Sequence, residues 1–195
     1  MYLTCRRLYA IMYIGFFVTA IYSNYERIFV MKAVAQFQKI SKEQFLKDWD
    51  LQGNPEEIYE NIKLPERATK GSAGYDFFAP LDISLKPGET IKIPTGIRVL
   101  IDDGYVLSLY PRSSLGFKFR LQLNNTVGII DSDYSHSDNE GHIFCKITND
   151  TNENKTVCIE QGSAFCQGIF TEYFVTYDDS AVSDRNGGFG STDKS

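Results

Sequence analysis

Three short stretches of this chain carry side chains able to act on a charged, water-soluble substrate. In the first, Arg112-Ser113-Ser114 follows a strand-like run and a proline, so a guanidinium, two hydroxyls and successive backbone amides fall at one turn and can grip phosphate oxygens. In the second, Arg185, Ser191 and Thr192 stand among glycines, Gly190 included, that let a backbone close on a ligand, with Phe189 as a stacking face. The third, Gly128-Ile129-Ile130-Asp131-Ser132-Asp133-Tyr134, runs an apolar strand into two carboxylates and an aromatic ring. A carboxylate with apolar flanks can serve as a general base toward water. Each stretch alone also reads as ordinary structure: a surface turn, a mobile tail, a turn-forming aspartate. A calcium loop starting at Asp131 is excluded, because His136 stands where that motif needs glycine. His136 and His142 have no cysteine pair nearby and read as loop residues rather than zinc ligands.

The elements that must position these groups are mostly strands. From Ile83 onward apolar and polar residues alternate, Pro87-Gly88 makes a turn, and short runs follow at 91–93, 97–101, 105–109, 143–147, 156–159 and 168–170. This pattern predicts an all-β sandwich or barrel. Ahead of it, Ser41-Lys42-Glu43-Gln44 has the form of a capping box, with the Ser41 hydroxyl serving an early N–H and Gln44 reaching back. Phe45, Leu46 and Trp49 then share one face, Gly53-Asn54-Pro55 breaks the helix, and 56–62 makes a second short turn. The expected organisation is a helical, structural appendage over 31–63, a β domain over 64–177 and a polar, Gly-rich arm over 178–195 that closes over an active site.

Residues 1–30 differ from the rest: Arg6 and Arg7 precede an uncharged, apolar run over 8–25 that sits at the threshold of a membrane span. Either it is a signal or anchor, or translation starts at Met31, where the composition turns abruptly polar; the second reading is favoured, with no stable membrane association expected. With 43% hydrophobic and 23% charged residues, the 195-residue chain can bury the core of one sizeable domain. A net charge of −5 argues against holding nucleic acid by counterion release, so phosphate binding must be local. The four cysteines fit neither a metal pattern nor a disulfide scaffold and read as reduced, in a cytoplasmic protein.

Taken in order, Gly71-Ser72-Ala73-Gly74-Tyr75-Asp76, the segment Pro111 to Lys118, the segment Asn125 to Tyr134, Gly162-Ser163-Ala164-Phe165-Cys166-Gln167 and Arg185 to Thr192 resemble the five motifs of the trimeric deoxyuridine triphosphatases. The likeness runs from about Leu64 to Thr192. It implies a distorted jelly-roll β fold, a homotrimer whose active sites are shared between subunits, and hydrolysis of dUTP to dUMP and pyrophosphate. That reaction limits uracil incorporation into DNA and supplies dUMP for dTTP synthesis. By the same resemblance Asp131 is the base for the attacking water and Tyr134 packs on the deoxyribose, leaving no room for a 2′-hydroxyl. Asn125, Gly128 and Ile130 belong to a hairpin that reads uracil, while Arg112, Ser113, Ser114 and Gln167 hold the α- and β-phosphates. Arg185, Gly190, Ser191 and Thr192 close over the γ end and Phe189 stacks on the base. Two arginines cannot neutralise about four phosphate charges, so Mg²⁺ is expected, in contact through water with Asp76.

The chain departs from the family pattern in places. Ser114 stands where glycine is usual, Ala164 where arginine is frequent, and the loop from Ser135 to His142 is longer than usual. A dCTP deaminase of the same fold, and a regulatory binding protein of the same family, are the rival readings. The first would need a glutamate base; the second would use the long loop or the appendage.

Overall fold

The period-two patterning becomes antiparallel pairing throughout the computed structural model, which describes residues 32–183. The chain divides into two compact units, Met1–Ala33 and Val34–Ser195; of the first, only Lys32 and Ala33 are described, as exposed coil. The second holds strands β1 (Ala35–Lys39), β2 (Glu66–Arg67), β3 (Tyr75–Phe78), β4 (Ile83–Leu85), β5 (Thr90–Pro94) and β6 (Ile97–Ile101). They are followed by β7 (Tyr105–Pro111), β8 (Leu121–Leu123), β9 (Gly128–Ile130), β10 (Phe144–Asn149), β11 (Val157–Ile159) and β12 (Ala164–Glu172). Helices are short: α1 (Lys42–Asp48), α2 (Pro55–Asn61), α3 (Ser113–Phe119) and a 3₁₀ turn over Ser132–His136.

The largest sheet has the order β2-β3-β12-β7-β9, and β5-β10-β8, β1-β6 and β11-β4 form smaller ones. Their inward faces meet in one core that includes Phe77, Leu107, Leu109, Ile147 and Phe165. The predicted Pro87-Gly88 turn forms, with Gly88 at φ 83° and the Glu89 N–H donating to the Lys86 carbonyl. Cys145, Cys158 and Cys166 are free thiols. Hydrogen bonding with Cys166 and burial push the Cys145 thiol well up, so it stays protonated.

The segment expected to be helical carries a strand as well. Phe37 alternates with Gln36 and Gln38, pairs with Val99 of β6, and sets its ring 5.3 Å from Tyr75 and 5.7 Å from Phe77. One inward aromatic flanked by polar residues is too short a signal to separate from a loop. Beyond β1, α1 and α2 fold against each other around Ile40, Phe45 and Ile58, with Trp49, Tyr59 and Ile62 alongside. Only half of the capping box forms: the Ser41 hydroxyl accepts the Gln44 N–H at 3.1 Å, but Gln44 donates forward to Asp48. The Ser41 N–H goes instead to Glu140, 99 positions away.

Candidate active site

The predicted site residues gather along strand β7. At its C-terminal end, Arg112 caps α3, with its N–H donating to the Phe165 carbonyl at 3.2 Å. The stretch expected as a turn is thus the opening of a helix: Ser113 and Ser114 form its exposed first turn, and the Leu115 and Gly116 N–H groups return to the Arg112 carbonyl. The first amides of a helix have no intrahelical partner and can face an anion. Serine at 114 fits because that position faces solvent.

Sheet register assembles the rest of this end. Gln167 of β12 lies between Asp76 of β3 and Tyr110 of β7. The Arg112 guanidinium donates to Asp76 Oδ2 at 2.5 Å, with the Asp76 side chain 14% exposed. Gln167 Nε2 donates to the Pro111 carbonyl at 3.3 Å, and a Cβ on Gly74 would come 2.6 Å from Gln167 Oε1. A side chain at 74 would thus meet the end of the Gln167 side chain, which would have to shift.

β9 pairs antiparallel with the middle of β7, Leu107 facing Ile130 and Leu109 facing Gly128, so Asp131 follows toward the Tyr105 end of β7 and the hairpin before Gly128 lies toward its Pro111 end. A Cβ on Gly128 would sit 3.0 Å from Leu109 Cβ, so the two strands approach closely. The hairpin feeding β9 turns at Thr126, whose φ of 67° is costly for a β-branched residue. A cavity of about 230 Å³ lies against this hairpin, lined by Asn125, Gly128, Ile130 and Tyr134 together with Leu109 and Leu123. Such a volume suits a base and part of a sugar rather than a whole nucleotide.

Asp131 leaves β9 in extended conformation and opens the 3₁₀ turn, half-buried, its carbonyl accepting the Tyr134 N–H at 3.2 Å. Tyr134 is buried, its hydroxyl donating to the His142 carbonyl at 2.8 Å. Arg185, Phe189, Gly190, Ser191 and Thr192 lie outside the described residues.

One residue read as part of a loop does lie in coil, with its side chain turned into the interior. His142 is entirely buried, Nδ1 lies 2.7 Å from Asp48 Oδ2, and Nε2 accepts the Gly96 N–H at 2.8 Å. Burial lowers its pKa, with Asp48 opposing that shift. Nothing in sequence spacing links 142 to 48. The available signal is local: His142 lies directly before the apolar run that becomes β10.

For magnesium, the donor set decides the fit. Among the described residues no three His, Cys, Asp or Glu side chains come together as a cage. Asp76 is a single, mostly buried carboxylate beside Arg112 and Gln167. That suits a cation which keeps its waters and draws its other ligands from substrate phosphates.

A pocket between strands beside an arginine and the amides that open α3 is a site of the kind an all-β nucleotide hydrolase would need. The sequence model of the dUTPase family matches residues 60–193. The deoxyuridine 5′-triphosphate nucleotidohydrolase of Lactococcus lactis is 45% identical over 134 residues, covering 67% of this chain and 88% of that protein. Its counterpart from Finegoldia magna is 41% identical over 139 residues, 68% and 92% respectively. The crystal structure of dUTPase from Streptococcus mutans superposes with a TM-score of 0.54 at 35% identity, over 72% of this chain and 97% of that one. A mutant dUTPase from phage phi11 of S. aureus, described with a structural Mg(II) ion, shares the fold at 22% identity and a TM-score of 0.55, covering 77% and 98%. The chain belongs to the dUTPase family, and its fold is the jelly-roll β fold of those enzymes. Among the described residues no helix is long and apolar enough to cross a membrane.

Proposed function

We propose that this chain hydrolyses dUTP to dUMP and pyrophosphate in active sites that are each completed by a neighbouring copy of the chain, acting in the cytoplasm where the nucleotide pool lies. One observation carries the shared site. Leu107 of β7 faces Ile130, the residue before Asp131, whereas Arg112 lies five residues further along β7. At about 3.3 Å per residue the two anchoring positions are about 17 Å apart. The Arg112 guanidinium also turns toward β3, on the side of β7 away from β9. A base that activates water at the α-phosphorus and an arginine that grips the same phosphate must both lie within a few ångströms of it. Two ends of one subunit cannot meet that condition, but the Asp131 end of one copy against the Arg112 end of the next does. A homotrimer closes such a head-to-tail contact.

The chemistry follows from the groups at each end. The Asn125 hairpin and the cavity beneath it receive uracil, and Tyr134 lies under the sugar. Asp131 takes a proton from a water as its oxygen bonds to the α-phosphorus, and the bond from that phosphorus to the bridging oxygen breaks, releasing pyrophosphate. Arg112, the Ser113 and Ser114 amides and hydroxyls, and Gln167 hold the α- and β-phosphates in line. Asp76, through water, would hold Mg²⁺, which spreads the charge of the phosphate chain. Arg185, Phe189, Gly190, Ser191 and Thr192 would close the site from a third direction.

Pyrophosphate release from dUTP, dCTP, dTTP and UTP with Mg²⁺ tests the activity; turnover confined to dUTP is expected, and ammonia from dCTP would move the chain to the deaminase reading. Subunit mixing tests the shared site. Asp131→Asn and Arg112→Ala chains, each impaired alone, recover activity above either parent when dissociated and reassembled together if the sites are shared. No recovery in verified mixed trimers would sink that arrangement.

A further inference from the structure

The segment ahead of residue 60, where the family match begins, is tied to the sugar end of the site by an unbroken set of hydrogen bonds. Asp48, the last residue of α1, accepts from Gln44 at 2.8 Å and lies 2.7 Å from His142 Nδ1. Because Nε2 accepts the Gly96 N–H, the ring proton must sit on Nδ1 and point at Asp48. One neutral tautomer satisfies both neighbours, and it fixes the ring plane. The carbonyl of that same residue accepts the Tyr134 hydroxyl at 2.8 Å, and Asn139 Nδ2 donates to the hydroxyl oxygen at 3.1 Å.

A second tie runs in parallel. The Glu140 carboxylate accepts the Ser41 N–H at 2.8 Å and the Ser41 hydroxyl at 2.6 Å, capping α1 from outside the helix. To do so Glu140 adopts a φ of 59°, unusual for a non-glycine residue and sustained only where surrounding contacts over-determine it. Gly141 follows at φ 74°, and any Cβ there would come 2.7 Å from the Ser135 Cα. The lengthened loop therefore closes on the backbone next to Tyr134. From the other side Phe45 and Ile62 pack on Gly96, where a Cβ would come 2.2 Å from Ile62 Cδ1.

We propose that the α1–α2 hairpin braces the sugar wall: Asp48 through His142, and Ser41 through Glu140, hold Tyr134 at the position that excludes a 2′-hydroxyl, so residues ahead of the matched region set the preference for dUTP over UTP. The inference rests on the reading of Tyr134 as the surface under the deoxyribose. Asp48, Glu140 and His142 are positioning residues, since none of them borders the cavity.

The test compares kcat/KM for dUTP and UTP in full-length variants whose circular dichroism matches the parent. Asp48→Ala lowers the dUTP:UTP ratio about tenfold, the factor that one lost hydrogen bond carries. The change falls mainly in KM for dUTP, because the base and phosphate groups are untouched. Asp48→Asn keeps an acceptor for the His142 N–H and restores most of the ratio. Tyr134→Phe, which cuts the tie at its other end, reproduces the loss, and adding Asp48→Ala to it changes little more. An unchanged ratio in Asp48→Ala beside a lowered one in Tyr134→Phe overturns the brace while leaving Tyr134 in its role. An unchanged ratio in Tyr134→Ala overturns the sugar-wall reading itself. Should Asp48→Ala fail to fold, Glu140→Ala, at a partly exposed position, carries the same expectation and the same refutation.

Discussion

The two ends of strand β7 are built by different means. At the Arg112 end the side chains are placed by strand register: Asp76 and Gln167 stand opposite each other on adjacent strands, and one ion pair fixes the arginine. At the Asp131 end the chain leaves regular structure at once, and the groups are placed by a 3₁₀ turn and side-chain ties to residues 94 and 99 positions away. Register is rigid and indifferent to small side-chain changes, which suits the proposed grip on phosphates common to every nucleotide. A wall that must reject one extra hydroxyl needs its position set by many groups, and irregular backbone supplies them.

The largest effect is expected at Asp131, the base of the proposed reaction. Asp131→Asn lowers kcat by about 10²- to 10⁴-fold while dUTP still binds, measured by single-turnover kinetics beside calorimetric titration. Equal loss of binding and rate would show that Asp131 belongs to the grip and not to the chemistry. Arg112→Ala comes next: it removes charge-assisted hydrogen bonds of about 1.5–3 kcal/mol, so kcat/KM falls by about tenfold to a hundredfold. Its loss should be alike for dUTP and UTP, since phosphates are common to both; a selective loss would erase the division of labour between the two ends.

Smaller changes discriminate more finely. Gly128→Ala forces a methyl against Leu109 Cβ at 3.0 Å, an overpacking of about 1–3 kcal/mol visible in thermal unfolding. Its kinetic cost falls on KM for the base. Gly74→Ala, 2.6 Å from Gln167 Oε1, displaces the glutamine and weakens phosphate binding with little change in base preference.

The smallest effect is a pH dependence confined to the Asp131 end. His142, held neutral by burial, has a folded pKa below its ordinary 6.5, so the unfolded chain binds the extra proton first. The stability it contributes is complete above about pH 6.5 and declines as pH falls toward the lowered value. Glu140, whose carboxyl is held low by the Ser41 hydroxyl and amide, keeps its contribution above the ordinary carboxylate range and loses it as pH falls through its lowered value. Thermal unfolding between pH 7 and 5 should therefore show a decline that His142→Asn flattens.

Much of the site is legible in the sequence because it is written locally. The run from Gly128 to Tyr134 shows strand, carboxylate and aromatic within seven residues, and all of them sit where that order implies. The opening of α3 reads as a turn instead, since Arg-Ser-Ser carries no apolar periodicity and the helix it begins buries no residue. Strand β1 escapes the pattern because a single phenylalanine between glutamines looks the same in a loop.

The sequence by itself determined the all-β class, the order of the motifs, the turn at Pro87-Gly88 and the capping role of the Ser41 hydroxyl, because each depends on neighbours a few residues apart. Only the tertiary structure decided that Arg112 pairs with Asp76, that Glu140 completes the cap which Gln44 leaves open, and that His142 joins α1 to Tyr134. Those contacts join residues dozens of positions apart, and a linear pattern carries no record of which distant hydrogen-bonding groups the folded core brings within 3 Å of one another.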